Sequence, residues 1–255
     1  MKKHPRDTFL TVYGRNPVLE VLQMPEIEVD KIWIEKKAKG EHIHEILEMC
    51  RRRRIEPYFT TAQEVAFLSK NPNQDQGVAA DVVVPEMNDW GAYLEILNAQ
   101  NTVQQGIIAL DGVTTPANVG LIIRTATGMG MDGILIPRKG VSSLNPLVVK
   151  ASAGVIFKSR LLKSEQLKQG LLLAKEAGFT VYGLGLVEGA EDLHKLENLA
   201  PKSIFVMGNE SEGISLQIAP LIDKWLIIKM FSEVESLNVA CATAVVCSEW
   251  ARRKS

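Results

Sequence analysis

The stretch Gly106-Ile107-Ile108-Ala109-Leu110-Asp111-Gly112-Val113-Thr114-Thr115-Pro116-Ala117-Asn118-Val119-Gly120-Leu121-Ile122-Ile123-Arg124-Thr125-Ala126 decides the fold. It opens on an apolar run, 106–110, of the kind a strand buried on both faces requires. A polar turn carrying Gly112 and Pro116 follows, and a helix is expected over 118–127. Further apolar runs at 133–136, 180–184, 203–207 and 225–230 read as strands, with helices expected at 165–177 and 215–221. This alternation predicts an α/β fold with a mostly parallel sheet and helices on both faces. In such a sheet the strand C-termini share one rim, and ligands bind there.

Working outward, a last helix over 237–252 contains Val239-Ala240-Cys241-Ala242-Thr243-Ala244-Val245-Val246-Cys247, nearly apolar all round and built of small residues. Such a helix is expected to be buried on more than one side, under another layer or a second subunit. Upstream, 86–105 is polar with weak periodicity and reads as a linker holding a short helix at 92–97. Before it, 1–85 reads as a small α/β unit, so the expected division is 1–85, linker 86–105 and 106–255. In the small unit 31–35 is a strand candidate. Ile43, Ile46, Leu47 and Cys50 then make one apolar stripe on a helix at 41–53. Strands are expected at 57–59 and 77–84, a helix at 62–69 and a loop at 70–77.

Composition narrows the classes. The 255 residues suit two domains, and 46% hydrophobic with 23% charged is ordinary globular usage, which excludes disorder and collagen-like repeats. Lys and Arg total 29 against 30 Asp and Glu, so no global basic field announces nucleic acid. The clusters Lys36-Lys37-Lys39, Arg51 to Arg54 and Arg252-Arg253-Lys254 read as solvated helix faces or RNA-contacting patches, the former by base rate. Cys50, Cys241 and Cys247 form no paired spacing, which points to a reducing compartment. The first residues carry no signal peptide and no run reaches membrane-spanning length, so a soluble cytoplasmic protein is expected, without a membrane partner.

Several motif matches dissolve in context. Gly128-Met129-Gly130-Met131-Asp132-Gly133 has the letters of a dinucleotide fingerprint but follows a helix and precedes a strand, the reverse of what that site needs. His42, His44 and Cys50 do not share a helix face, so no metal is expected. P-loop, paired Cys-x-x-Cys and Gly-x-Ser-x-Gly patterns are lacking. Three segments on the predicted rim carry the signal. They are 110–126, then Val206-Met207-Gly208-Asn209-Glu210-Ser211-Glu212-Gly213, then Ile227-Ile228-Lys229-Met230 with Ser236-Leu237-Asn238-Val239. Taken singly, each residue has a plain structural use. Asn118 and Ser236 can cap helices, Arg124 can pair with Glu210, and Gly208 can serve a turn.

Together the three segments resemble, in order and separation, the three motifs of the SpoU branch of the SPOUT RNA methyltransferases. The likeness runs from about Ile107 to the C-terminus. The runs Tyr13-Gly14-Arg15-Asn16-Pro17-Val18-Leu19-Glu20 and Gln76-Gly77-Val78-Ala79-Ala80 are similar to the start and end of the small RNA-binding sandwich, of ribosomal-protein type, that precedes many such domains. Ser211 and Ser232 stand where the family usually has Gly, and Lys229 where it usually has Pro.

The resemblance implies a trefoil knot, a homodimer, and methyl transfer from S-adenosylmethionine to a ribose 2′-hydroxyl of RNA, ribosomal RNA before transfer RNA. It assigns Arg124, Asn118, Glu210, Ser236 and Asn238 to catalysis, with Glu210 holding Arg124, and Gly208, Ile228 and Leu237 to the cofactor. No metal is required. Two other readings stay open: an RNA-binding protein of the same fold with weak or lost catalysis, and a small-molecule transferase whose first domain is unrelated to RNA.

Overall fold

The computed structural model describes residues 9–25, 27–83, 86–100, 104–141, 144–232, 234 and 236–253. In chain order the elements are β1 (Phe9–Tyr13), α1 (Arg15–Gln23), β2 (Val29–Glu35), α2 (Glu41–Arg53), β3 (Tyr58–Thr60), α3 (Ala62–Ser69) and β4 (Val78–Val83). They continue with β5 (Asn88–Asp89), α4 (Trp90–Ala99), β6 (Gln105–Leu110), α5 (Pro116–Gly128), β7 (Gly133–Pro137), α6 (Pro146–Ala151), β8 (Leu161–Ser164) and α7 (Leu167–Glu176). Last come β9 (Thr180–Leu184), β10 (Glu191–Asp192), β11 (Lys202–Met207), β12 (Lys224–Ile227) and α8 (Val239–Arg253). The chain forms two compact units, one of 1–85 with 145–157, the other of 86–144 with 158–255.

The first unit is built on a four-stranded sheet in the order β1-β4-β2-β3. Its core takes Leu10 and Val12 from β1, Ile32 and Ile34 from β2, and Ile43, Ile46 and Cys50 from the apolar stripe of α2. Arg53 explains why one basic cluster is not a free surface. It donates to the carbonyls of Val21, Leu22, Met24 and Ile27, satisfying groups that the end of α1 leaves open. Arg52 pairs with Glu48 one turn back. The segment 145–157 belongs to this unit, which the sequence did not suggest. Asn145 caps α6 by accepting from the amides of Leu147 and Val148 at 2.9 and 3.2 Å. Gly154, at φ +73°, comes so close to the Met24 side chain that a Cβ there would overlap its sulfur.

The second unit is an eight-stranded sheet in the order β10-β12-β9-β11-β6-β7-β8-β5, and its described pairings are all parallel. Two expectations need correction. The stretch 86–105 is not a free linker: β5 pairs with β8, and α4 packs Trp90, Tyr93, Leu94 and Leu97 into the core beside Ile107, Leu162 and Phe179. Those four positions are an i, i+3, i+4, i+7 stripe, started by Asp89, whose carboxylate accepts from the Ala92 amide at 3.1 Å. The expected helix at 215–221 is instead a series of turns ending in a single 3₁₀ turn at Ala219–Leu221, because Pro220 has no N–H to continue a ladder.

The final helix is buried on one face only. Val239, Ala240, Thr243, Val246, Cys247 and Trp250 are buried against α5 and β11, whereas Cys241 is exposed and Ala242, Ala244 and Val245 are half-buried. Trp250 packs against Gly106, where a Cβ would come within 2.6 Å of the indole nitrogen. At the C-terminal end of α8, Glu249 takes hydrogen bonds from Arg252 and Arg253 and is bonded to His194.

Candidate active site

Strand order reverses between β6 and β11. From β6 the chain builds outward through β7 and β8, and on the other side of β11 lie β9 and β12. This is a topological switch point, where the loops leaving the two central strands diverge and open a crevice. Here the loop after β6 (111–115) and the loop after β11 (208–213) are stitched together. The Asn209 amide donates to the Gly112 carbonyl at 2.8 Å, and the Ser215 amide donates to Asp111 at 2.7 Å. Asn209 also folds its own loop, its side-chain oxygen accepting from the amides of Ser211 and Glu212 at 2.8 and 3.3 Å.

The turn 209–213 closes with paired backbone bonds between Asn209 and Gly213, both 2.9 Å. Gly208 makes that closure possible, since a Cβ on it would meet the Gly213 carbonyl oxygen and the Ile214 amide nitrogen at 2.6 Å. Gly213 itself takes φ +68°, the left-handed region that glycine enters without penalty.

Beside this turn lies a cavity of about 370 Å³ over the ends of β9, β11 and β12. Leu184, Leu226, Ile228, Met230, Leu237 and Val239 give it apolar walls, while 208–213, with Glu210 and Glu212 among them, line its polar side. Gly208, Ile228 and Leu237, the three residues expected to meet a cofactor, all line it, and so do Glu210 and Ser236.

Three expected catalytic side chains meet nearby. Asn118, buried on α5, donates to Glu210 and accepts from the Asn238 amide at 3.2 Å. Asn238 also starts α8, its side-chain oxygen accepting from the Ala240 amide at 2.9 Å. One residue from each rim segment thus joins a single network.

A sequence profile of the SpoU rRNA methylase family matches residues 105–248, the span that carries all three rim segments. The chain belongs to that family. A second profile, for substrate binding in RNA 2′-O ribose methyltransferases, matches 11–87. A TrmH-family protein of Staphylococcus saprophyticus, named as a tRNA/rRNA methyltransferase, is 29% identical over 246 residues, 96% of each chain. A TrmH-family structure from Porphyromonas gingivalis superposes with TM-score 0.71 at 27% identity, covering 97% of this chain and 91% of that one. The SpoU methyltransferase AviRb of Streptomyces viridochromogenes, solved with AdoMet, shares the fold at TM-score 0.73 and 20% identity, with 98% and 91% covered.

The SpoU framework does not bring Arg124 to this network. Among the described residues Arg124 makes no hydrogen bond or ion pair, and it is exposed on α5. It lies six positions after Asn118, which places the two about 120° apart around the helix axis. The expected Arg124–Glu210 pair is therefore absent, and Glu210 is engaged by Asn118 instead. Of the departures from the SpoU pattern, neither Ser211 nor Ser232 has positive φ, so both fit without backbone strain. Lys229 is exposed, its ammonium 5.8 Å from the centre of the Phe231 ring. Asp111 and Asn209 were not read from the sequence as site residues. The signal was available for Asn209, because Asn followed two positions later by a free amide is the pattern of a side-chain-closed turn.

Proposed function

We propose that this chain transfers a methyl group from S-adenosylmethionine to a ribose 2′-hydroxyl of RNA, with ribosomal RNA ahead of transfer RNA, in the cytoplasm. The observation that carries the reading is the network of Asn118, Glu210 and Asn238 at the mouth of the Gly208–Leu237 cavity. The cavity suits the cofactor in size and chemistry. Its volume lies in the range of small-molecule sites. Apolar walls fit an adenine ring, backbone groups along 208–213 fit its ring nitrogens, and two carboxylates suit a cationic ligand. Gly208, Ile228 and Leu237 would hold it. When bound, S-adenosylmethionine supplies an electrophilic methyl carbon.

The rest falls to the protein. A 2′-hydroxyl is a weak nucleophile that must be oriented and relieved of its proton. A guanidinium is a poor proton acceptor and a strong phosphate grip, so Arg124 orients the phosphate next to the target ribose, and the proton leaves to that phosphate or to water. Glu210 and Asn238 hold Asn118 for the RNA, and Ser236 adds a hydroxyl at the cavity wall.

The position of Arg124 is accounted for if the enzyme works as a homodimer. The faces needed are present in the second unit: Leu121 and Arg124 on the open side of α5, and Cys241, Ala244 and Val245 on the open side of α8. In that arrangement Arg124 of one copy serves the site of the other. The first unit, 1–85 with 145–157, captures the RNA substrate.

The test is methyl transfer from tritiated cofactor to unmodified ribosomal and transfer RNA, followed by mapping of 2′-O-methyl positions in cells with and without the gene. A site lost with the gene is the expected result. Label on a base, or no label on any RNA, overturns the reading.

A further inference from the structure

We propose that Phe231, with Lys229 beside it, stacks on an unpaired base of the RNA substrate where the nucleotide enters the cavity. The inference rests on the RNA-methyltransferase reading and adds to it a contact that the network above does not contain. Phe231 is 91% exposed. A phenylalanine ring held in water forgoes the gain that burial would return, so folding alone draws nothing from its exposure. It is also not remote from the chemistry. Ile228, Met230 and Ser236, which flank it in the chain, all line the cavity.

The ring keeps company with a cation, the Lys229 ammonium at 5.8 Å from its centroid. That distance falls within reach of the ring's negative face, and the pair presents an aromatic plane and a positive charge side by side. Single-stranded nucleic acid asks for that combination, one surface for a base and one charge for the neighbouring phosphate. The reaction requires it as well. A ribose hydroxyl can meet a methyl group inside a cavity only if its nucleotide is drawn out of a helix, and the exposed base then needs a surface to stack on. Phe231 has no hydrogen-bonding group, so it grips any base and reads none. Selection of the nucleotide is left to other contacts.

The test uses the full chain without cofactor and filter binding of an unmodified ribosomal RNA transcript. Phe231→Ala is expected to weaken binding about tenfold or more, and Phe231→Trp to restore it. Lys229→Met is expected to flatten the salt dependence by about one charge. A 5-bromouridine-substituted transcript should photocrosslink to the peptide that contains Phe231. Affinity for S-adenosylmethionine by calorimetry and mass by light scattering should be those of the wild type.

Unchanged RNA binding together with no crosslink at that peptide overturns the proposal. So does an equal loss of cofactor affinity, which would make Phe231 part of the cavity wall, or a shift from dimer to monomer, which would make it a contact between copies. A wild-type chain that binds RNA through Phe231 yet transfers no methyl group would sink the functional reading and leave this contact standing.

Discussion

Gly208 has backbone atoms, not flexible side chains, where a Cβ would go, and a peptide cannot step aside as a side-chain end can. Gly208→Ala should therefore force the 209–213 turn open, cost about 1–3 kcal/mol in urea unfolding, and abolish the heat of cofactor binding. Wild-type cofactor affinity in that variant would mean the turn is not part of the site. Arg124 is the opposite case. It is exposed and unpaired among the described residues, so Arg124→Ala should shift stability by no more than about 0.5 kcal/mol. Cofactor binding should persist, while single-turnover methylation falls at least about 10²-fold. Arg124→Lys should recover little, since an ammonium lacks the planar fork. Near-normal turnover in Arg124→Ala would remove it from the mechanism. That Asn118, Glu210 and Asn238 share one rim was legible because each sits in a motif with fixed spacing. The absence of an Arg124–Glu210 pair was not, because spacing along a chain says nothing about which side of α5 faces the neighbouring loop.

At the scale of elements, strong periodicity made the reading accurate. The helices expected at 41–53 and 62–69 match α2 and α3, and the strands around 106–110, 180–184 and 203–207 match β6, β9 and β11 to within a residue. Short or diluted signals were lost. The β5 strand has two residues, and the apolar stripe of α4 lies between Asn88-Asp89 and a polar tail, so the whole stretch looked like a tether. The small residues of α8 suggested burial on more than one side, and within one chain the buried side is the one facing α5 and β11.

The last turn of α8 gives a pH prediction. Burial alone would raise the Glu249 carboxyl, but hydrogen bonds from Arg252 and His194 and the charges of Arg253 and Arg252 outweigh it and hold the group below its ordinary range. A carboxylate depressed in the folded state stabilises above its unfolded pKa, and that contribution is lost as pH falls through the folded value. Urea midpoints should thus show wild type well above Glu249→Gln at pH 7, with the gap closing as pH falls through the acid range below the ordinary carboxylate pKa. A gap independent of pH would contradict the sign.

At the scale of the molecule, the proposed reading makes the site and the first unit separable in function. Removing 1–85 should lower RNA methylation far more than cofactor affinity, and equal loss of both would show one shared machine. Removing 1–105 should destroy the second unit outright, because Trp90, Tyr93, Leu94 and Leu97 leave its core and each such loss costs about 2–5 kcal/mol. The proposed homodimer makes a sharper prediction. Asn118→Ala and Arg124→Ala chains, each inactive, should regain about a quarter of wild-type activity when unfolded together and refolded as mixed dimers, since each mixed dimer owns one intact shared site. No recovery, or a monomeric mass at micromolar concentration, would place the whole site in one copy. The return of 145–157 to the first unit has a consequence for how the protein is made. On the ribosome the first 85 residues emerge without the strip that Gly154 and Met24 lock together, and wait through the synthesis of β5 to β7 before it arrives. The small unit is therefore begun first but completed only once residue 157 has emerged, and a chaperone meeting the nascent protein before then would find it still open while the sheet of the larger one is under construction.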